Sequence, residues 1–435
     1  MNARSAGAAL LALTLIFSAS AARANDAPLS LAALEQKLPQ APLEVADQYD
    51  VQAAQAAVRA EQAKSGLSYT YNAAMGPTDI IVPRSYDYHS FRFEQSAGVS
   101  MPLLGSRTQQ FDAIADLQEK ALLAQIALNQ TQRERLAALR TAYIKYWQYS
   151  SETGIALAYA GTEQQSLSQA RVLRQTGFWT STNMVDFLDL VQKVKTDADN
   201  FASSARGQLA QVDFAMGSEV PAFQPMEPDF FDNCTIDRSR AVASAELTDS
   251  TLSTLSAETN QIRAELGQVK WAPVQGSAGL QAGSVTDVTQ AVSGYNVQAT
   301  LNLAVPAHAK AEELALRQQY EAQLQSLALQ EDQRKIEISS AVDAALDEVH
   351  NAQATFRQAQ QDQAARQDDL RKAIVRFDTI RQSGSISFDD VQEKRDELYV
   401  VDRAATESRA NVLLGATTLI LIAPGACGAG DIANR

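Results

Sequence analysis

Few residues in this chain have the type and spacing to do chemistry. The histidines His89, His308 and His350 are scattered and lack metal-ligand spacing with each other or with Cys234 and Cys427. His350, beside Val349, reads as a solvated helix residue rather than a ligand. No G-x-x-x-x-G-K-[ST], H-E-x-x-H or G-x-S-x-G run occurs, so phosphate-cradle, zinc-protease and serine-nucleophile chemistry find no support. The expectation is no enzyme, no metal and no cofactor. The chemistry that remains is electrostatic. Asp390 and Glu393 lie three residues apart and share one face of a helix. Carboxylates gathered in one constriction favour cations and raise each other's pKa. The plainer reading of the same residues is an ordinary solvated acidic face, because Asp389, Asp396 and Glu397 lie nearby.

The elements that would position these residues are repeated in the chain. Arg174-Gln175-Thr176-Gly177 recurs as Arg381-Gln382-Ser383-Gly384, and Met101-Pro102 recurs as Val305-Pro306. Such self-similarity marks a structural unit used twice. Between these landmarks each copy is nearly free of Gly and Pro and rich in Ala, Gln, Leu and Glu, a composition that favours long helices. Val342, Ala345, Val349, Ala352, Phe356 and Ala359 recur in steps of three and four, a heptad seam with small residues. Leu136, Leu139, Tyr143 and Tyr146 do the same in the first copy. Ser106 to Arg174 is then one helix, about 100 Å long at about 1.5 Å per residue. A second helix from about Thr180 to Phe214 follows the breaker Gly177. In the second copy a helix from about Ser387 to Leu414 follows Gly384. Each copy therefore holds a long helical hairpin whose tip is the Arg-Gln-Thr/Ser-Gly sequence.

Upstream of each hairpin the period changes to two. Leu67, Tyr69, Tyr71, Ala73 and Met75 alternate with polar or small residues, as do Phe91, Phe93, Ala97, Val99 and Met101. In the second copy Val274, Gly276, Ala278, Leu280 and Ala282 alternate, followed by Tyr295, Val297, Ala299, Leu301 and Leu303. Four such segments match transmembrane barrel strands. They equally match a soluble sheet with one buried face. The long helices and a targeting segment favour the barrel. Four strands cannot close around a water channel, so the chain must oligomerise to remove its sheet edges.

Composition supports this division. The chain has 435 residues, a prior of about three domains. The formal charge is −14, with no clustered Lys/Arg surface, which argues against nucleic acid as a partner. The mean hydropathy is −0.21. Past the first 25 residues the longest apolar run, Leu413–Ala423, falls short of a spanning helix, which excludes a helical inner-membrane transporter but not a barrel. Arg4, the apolar stretch Ala8–Phe17 and Ala22-Arg23-Ala24 read as a signal peptide cleaved after Ala24.

A cleaved signal, a tandem duplication, two strands per copy and a long hairpin with Gly at its tip together resemble the TolC-like outer-membrane efflux protein family, over essentially the whole mature chain. The resemblance implies a mainly α fold with a small β part. Antiparallel helical hairpins form a trimeric periplasmic tunnel, capped by a 12-stranded barrel in outer-membrane lipid. It implies a signal peptide 1–24, a first repeat 25–216 (strands about 67–101, hairpin about 106–214), an equatorial linker 217–237, a second repeat 238–414 (strands about 272–305, hairpin about 308–414) and a tail 415–435. The linker is rich in Pro221, Pro225 and Pro228 and in Phe223, Phe230 and Phe231. On this model the tail returns to the linker's level, and Cys234 and Cys427 either form a disulfide, worth about 4 kcal/mol or more in the chain-entropy model, or remain two thiols.

The same resemblance places Asp390 and Glu393, at +6 and +9 from Gly384, in an acidic ring at the tunnel entrance. Asn183 and Asp186 hold those offsets in the first copy. It makes Gln175, Thr176 and Gly177, with Gln382, Ser383 and Gly384, the docking surface for a periplasmic adaptor (membrane fusion) protein. Some members close their tips with Tyr, Arg and Asp contacts between hairpins. Here Arg381 stands three before Gly384 instead of Tyr, and Ile386 two after it instead of Arg, so those bonds cannot be carried over. The implied function is an outer-membrane exit duct reaching into the periplasm, fed by an inner-membrane pump in efflux or type I secretion. A periplasmic adaptor or coiled-coil scaffold is the rival reading, though an adaptor would carry one hairpin rather than two. A diffusion porin would leave no room for long helices.

Overall fold

The structure is a computed structural model that describes residues 28–80, 88–232, 234–287, 292–380 and 386–427. In chain order the elements are β1 (Pro28–Leu29), α1 (Leu31–Glu35), α2 (Pro42–Lys64), β2 (Ser68–Ile80), β3 (Tyr88–Leu104), α3 (Gly105–Gln175), α4 (Ser181–Met216), β4 (Gln224–Pro225), α5 (Arg238–Thr248), α6 (Ser250–Gln268), β5 (Gln275–Asp287), β6 (Val292–Ala304), α7 (Ala309–Ile380) and α8 (Ile386–Ile422). The expected signal peptide 1–24 and the second tip, with Gln382, Ser383 and Gly384, lie outside the described residues. So does the end of the tail after Cys427.

Two compact units divide the chain. One comprises residues 46–130 and 249–337. Its sheet has the order β2-β3-β5-β6, antiparallel throughout. The register puts Tyr69, Val99, Leu280 and Ala299 in one row, and Tyr71, Ala97, Ala282 and Val297 in the next. Because side chains alternate across a strand, Met75, Phe93, Met101, Tyr295, Leu301 and Leu303 share that face. The other face carries Ser68, Thr70, Asn72, Ser96, Gln281, Asn296, Gln298 and Thr300. Ser68 and Ser100 hydroxyls meet there at 2.5 Å, and Gln281 donates to Ser96 Oγ at 2.8 Å. The apolar face is uncovered among the described residues: Tyr295 is 89% exposed and Val297 72%. Neither β2 nor β6 has a partner on its outer edge among the described residues.

The helices of this unit are joined by polar contacts. Gln261 of α6 donates to Asp116 of α3 at 3.0 Å. Asp249 caps α6 through the Leu252 amide at 2.8 Å and receives a two-pronged bond from Arg334 of α7. At the joint between β3 and α3 the Gly105 amide donates to Val274 O at 2.5 Å. A Cβ at Gly105 would lie 2.3 Å from that oxygen, so only glycine allows this approach.

The other unit comprises residues up to 45, 131–248 and 338 onward. Its main core joins Leu31, Leu34 and Leu38 of the N-terminal arm to Leu139, Tyr143, Tyr146, Val212, Met216 and Phe223. β1 pairs in parallel with β4. The fully buried Tyr143 hydroxyl lies between Leu29 O at 2.6 Å and Met226 O at 3.0 Å, and accepts from the Met226 amide at 2.9 Å. Tyr146 donates to Phe223 O at 2.7 Å, and its ring meets Phe223 edge-on. Arg140 donates to Glu35 at 2.6 Å and lies over the Phe230 ring. Two heptad tyrosines of α3 thus hold the Pro- and Phe-rich segment through its backbone, satisfying groups that no helix or sheet would pair.

The end of α8 departs from the expected boundary. The helix runs through Gly415 to Ile422 rather than stopping near Leu414. Gly415 acts as a contact surface, not a breaker: a Cβ there would meet Val349 Cγ2 of α7 at 3.4 Å. Beyond α8 the Gly425 amide donates to Ser244 Oγ at 2.7 Å, Ile236 and Cys427 form a β-bridge, and Cys234 and Cys427 are joined by a disulfide. Its sequence separation is 193 residues, so Cys234→Ser should lower unfolding stability by about 5 kcal/mol in the chain-entropy model. Urea unfolding with and without reductant checks this, and reductant should leave the variant's midpoint unchanged.

Candidate functional site

The first hairpin tip is built by its own backbone. α3 ends in a Schellman turn: the Phe178 amide donates to Leu173 O at 3.0 Å and the Gly177 amide to Arg174 O at 3.2 Å. Gly177 sits at φ +78° with open space where a Cβ would be, so chain reversal is what requires glycine. Gln175 is the last residue of α3. The Thr176 hydroxyl donates back to Val172 O at 2.9 Å. α4 begins with a capping box in which Thr180 receives the Asn183 amide and Asn183 Oδ1 receives the Thr180 amide. Asn183 therefore caps a helix end. Asp186 is exposed one turn further on.

Trp179, buried under the tip, ties the first hairpin to the second. Its indole donates to Asp389 Oδ1 at 2.9 Å. Its ring packs against Phe388 of α8 at 5.3 Å between centroids and against Phe187 of α4 at 5.9 Å. Ala170, Met184 and Val191 complete the cluster, with Phe377 of α7 against it.

Further along α3 and α8 the joint becomes polar. Tyr159 donates its hydroxyl proton to Asp396, and Gln392 Nε2 reaches both Tyr159 at 3.0 Å and Asp396 at 3.1 Å. Arg395 donates to Ser166 Oγ at 2.7 Å and lies 3.7 Å from the Glu163 carboxylate. Burial pushes the Asp396 carboxyl up, while its bonds from Tyr159 and Gln392 pull the other way. Burial followed by the bond to Asp396 pushes the Tyr159 hydroxyl far up, so it stays a donor. Next along the seam, burial raises the Glu152 carboxyl, opposed by Gln148 and Arg403. Tyr399 stacks on Tyr159, and Arg403 lies over Phe201.

The acids on α8 differ in their surroundings. Asp389 is exposed yet accepts the Trp179 indole, and the partly buried Asp396 accepts the Tyr159 hydroxyl. Glu397 pairs with Lys394 and with Arg366 of α7, each at 2.9 Å. Asp390, half-buried, has no ion-pair partner among the described residues, and the exposed Glu393 touches only Lys394 at 3.5 Å. Within one chain no contact among the described residues joins Asn183 or Asp186 to Asp390 or Glu393. Contacts of the Tyr, Arg and acid type between hairpins do occur here, at positions other than those flanking the tip. Sequence reasoning missed them because Tyr159 and Asp396 are 237 residues apart and neither stands out locally.

His350 and His308 are exposed on or before α7, and no group of three metal-ligating side chains occurs among the described residues. No described helix is long and apolar enough to cross a membrane. The Trp179 cluster makes a direct prediction: Trp179→Ala should cost about 3–5 kcal/mol, and Asp389→Asn about 1 kcal/mol, read as shifts of the denaturation midpoint.

No protein-family model matches the sequence, and no curated protein matches it. The fold does match solved structures. CusC, described in terms of transmembrane channel formation, superposes with a TM-score of 0.72 at 13% identity, over 90% of this chain and 91% of that one. A membrane protein from Pseudomonas aeruginosa gives 0.72 at 12% identity, over 90% and 92%. The outer-membrane protein VceC of Vibrio cholerae gives 0.69 at 11% identity, over 90% and 95%. The chain therefore has the fold of these outer-membrane proteins, the TolC-like architecture that its duplicated strands and hairpins resemble.

Proposed function

We propose that this chain is an outer-membrane exit duct extending into the periplasm, passively conducting substrates delivered by an inner-membrane pump and a periplasmic adaptor. The observation that carries the reading is the four-stranded sheet, which among the described residues is apolar on one uncovered face, polar on the other and unpaired at both edges. In lipid such edges must find strands from other copies, because unpaired backbone groups there cost several kcal/mol each by order of magnitude. Two copies would give eight strands, an interior that side chains fill. Three give twelve and leave room for water. A homotrimer is the smallest assembly that conducts.

The helical hairpins of the assembled chains then form the tunnel. The tips, Gln175, Thr176 and Gly177 with Gln382, Ser383 and Gly384, meet the adaptor. Asp390 and Glu393 line the entrance, with Asp186 beside them and Asn183 kept as a cap. Support for the acidic ring comes from the neighbouring acids: Asp389, Asp396 and Glu397 all bond within the hairpin pair, whereas Asp390 has no ion-pair partner among the described residues and Glu393 lies 3.5 Å from Lys394. Efflux and type I secretion both fit this duct, since the pump chooses the substrate.

Purified protein in planar bilayers tests the reading. Discrete cation-selective conductance is expected, and the double variant Asp390→Asn, Glu393→Gln should move the reversal potential toward zero in a KCl gradient while leaving channels open. Absence of conductance from folded, membrane-inserted protein would rule out the duct.

A further inference from the structure

The polar seam between α3 and α8 contains a charge imbalance. Glu163 is fully buried, and no donor reaches its carboxylate oxygens with good hydrogen-bond geometry among the described residues, although the Gln392 amide lies close enough to stabilise its charge in part. The charged and titratable groups around it are Tyr159 on its own helix, and Arg395 and Asp396 on α8, with Ser166 and Gln392 as neutral neighbours. Among the described residues, Arg395 is the cation that the two carboxylates share. It gives its short bond, 2.7 Å, to the Ser166 hydroxyl and stays 3.7 Å from Glu163. Asp396 takes donors from both Tyr159 and Gln392. With both acids ionised, the closed seam would bury one negative charge whose only nearby donors, Gln392 and Arg395 among the described residues, give their short bonds elsewhere, an arrangement that low-dielectric surroundings penalise. Two events relieve it: a proton on Glu163, or hydration when the helices part.

We propose that Glu163 is a proton-operated latch between the two hairpins: the seam closes with a proton on Glu163 and separates when that proton leaves. The latch rests on the reading of the hairpins as the tunnel's movable entrance, and it adds a control to that entrance. The direction follows from linkage. Burial, opposed in part by Arg395, pushes the closed-state Glu163 carboxyl up to about 7. In a separated, hydrated seam the group returns toward its ordinary value of 4.5. The closed form therefore binds more protons between these values. Its advantage is full below the lower value and lost as pH rises through the higher one. Asp396, also raised by burial, works in the same direction, and its charge helps raise Glu163.

The test uses the full mature chain in lipid vesicles, with spin labels at V185C on α4 and R371C on α7 and the native disulfide intact. Electron-electron distance measurements at pH 5 and pH 8 read the separation of the hairpins. The separated-to-closed ratio should rise at least roughly tenfold from pH 5 to pH 8. Glu163→Gln, which keeps the shape and removes the titration, should stay closed at both. Asp396→Asn should retain the transition but move its midpoint to lower pH, and it stands as the second test if Glu163→Gln does not fold. The latch is overturned if the wild-type distance does not change with pH, or if Glu163→Gln keeps the wild-type response. A pH-dependent distance in protein that conducts no ions would uphold the latch and overturn the duct.

Discussion

Backbone groups at the edges of a four-stranded sheet constrain everything else in this chain. Among the described residues, the outer edges of β2 and β6 each present a row of amides and carbonyls with no partner, beside an exposed face of Tyr69, Tyr71, Met75, Tyr295, Val297 and Leu301. Water could pair the edges but not cover the face, and lipid could cover the face but not pair the edges. On the proposed reading, other copies of the chain in a bilayer would satisfy both. The polar face, with its small Ser and Thr side chains and its glycines, would then border water. The duplication follows economically: β3 pairs with β5, so one strand pair used twice makes a continuous sheet.

The helical unit solves a different problem. Long helices rich in Ala and Gln bury little apolar area per residue, so specific polar contacts fix their partners. At the level of the linker these contacts are dense. Tyr143 and Tyr146 hold its backbone, Arg409 pairs with Glu227 at 2.8 Å and with Asp232, Arg238 grips Asp343 with two bonds, and the disulfide ties the tail. Toward the tips the seam changes character. It relies on the Trp179 cluster and on buried groups whose charge depends on protons. A region fixed redundantly at one end and by few, titratable contacts at the other is suited to move at the second end.

Much of this was legible in the sequence because it is periodic. The strands were visible in alternation such as Tyr69, Tyr71 and Ala73, and the long helices in uninterrupted stretches free of Gly and Pro. The first tip was visible in Gly177, whose positive φ is a local need. What stayed hidden was non-local or ambiguous. The N-terminal arm gives only weak signs: Ser30 caps α1 and Pro42 opens α2. Gly415 resembles a terminator, yet it serves close packing against Val349. Asp389 and Asp396 look like members of a solvated acidic face, but their partners Trp179 and Tyr159 stand more than 200 residues away. Asn183 occupies the offset of a ring residue while its chemistry is that of a cap. Glu163 carries no motif; only its burial reveals it.

The central claim is that the sheet is completed by other copies of the chain, and counting those copies tests it most directly. Native mass spectrometry of the detergent-extracted mature protein, released from detergent in the gas phase, reports the number without assuming a function. Three chains per particle are expected, giving twelve strands. A stable, folded monomer would contradict the account, because its sheet edges would then be satisfied without partners. A dimer would contradict it equally, since eight strands leave no room for water.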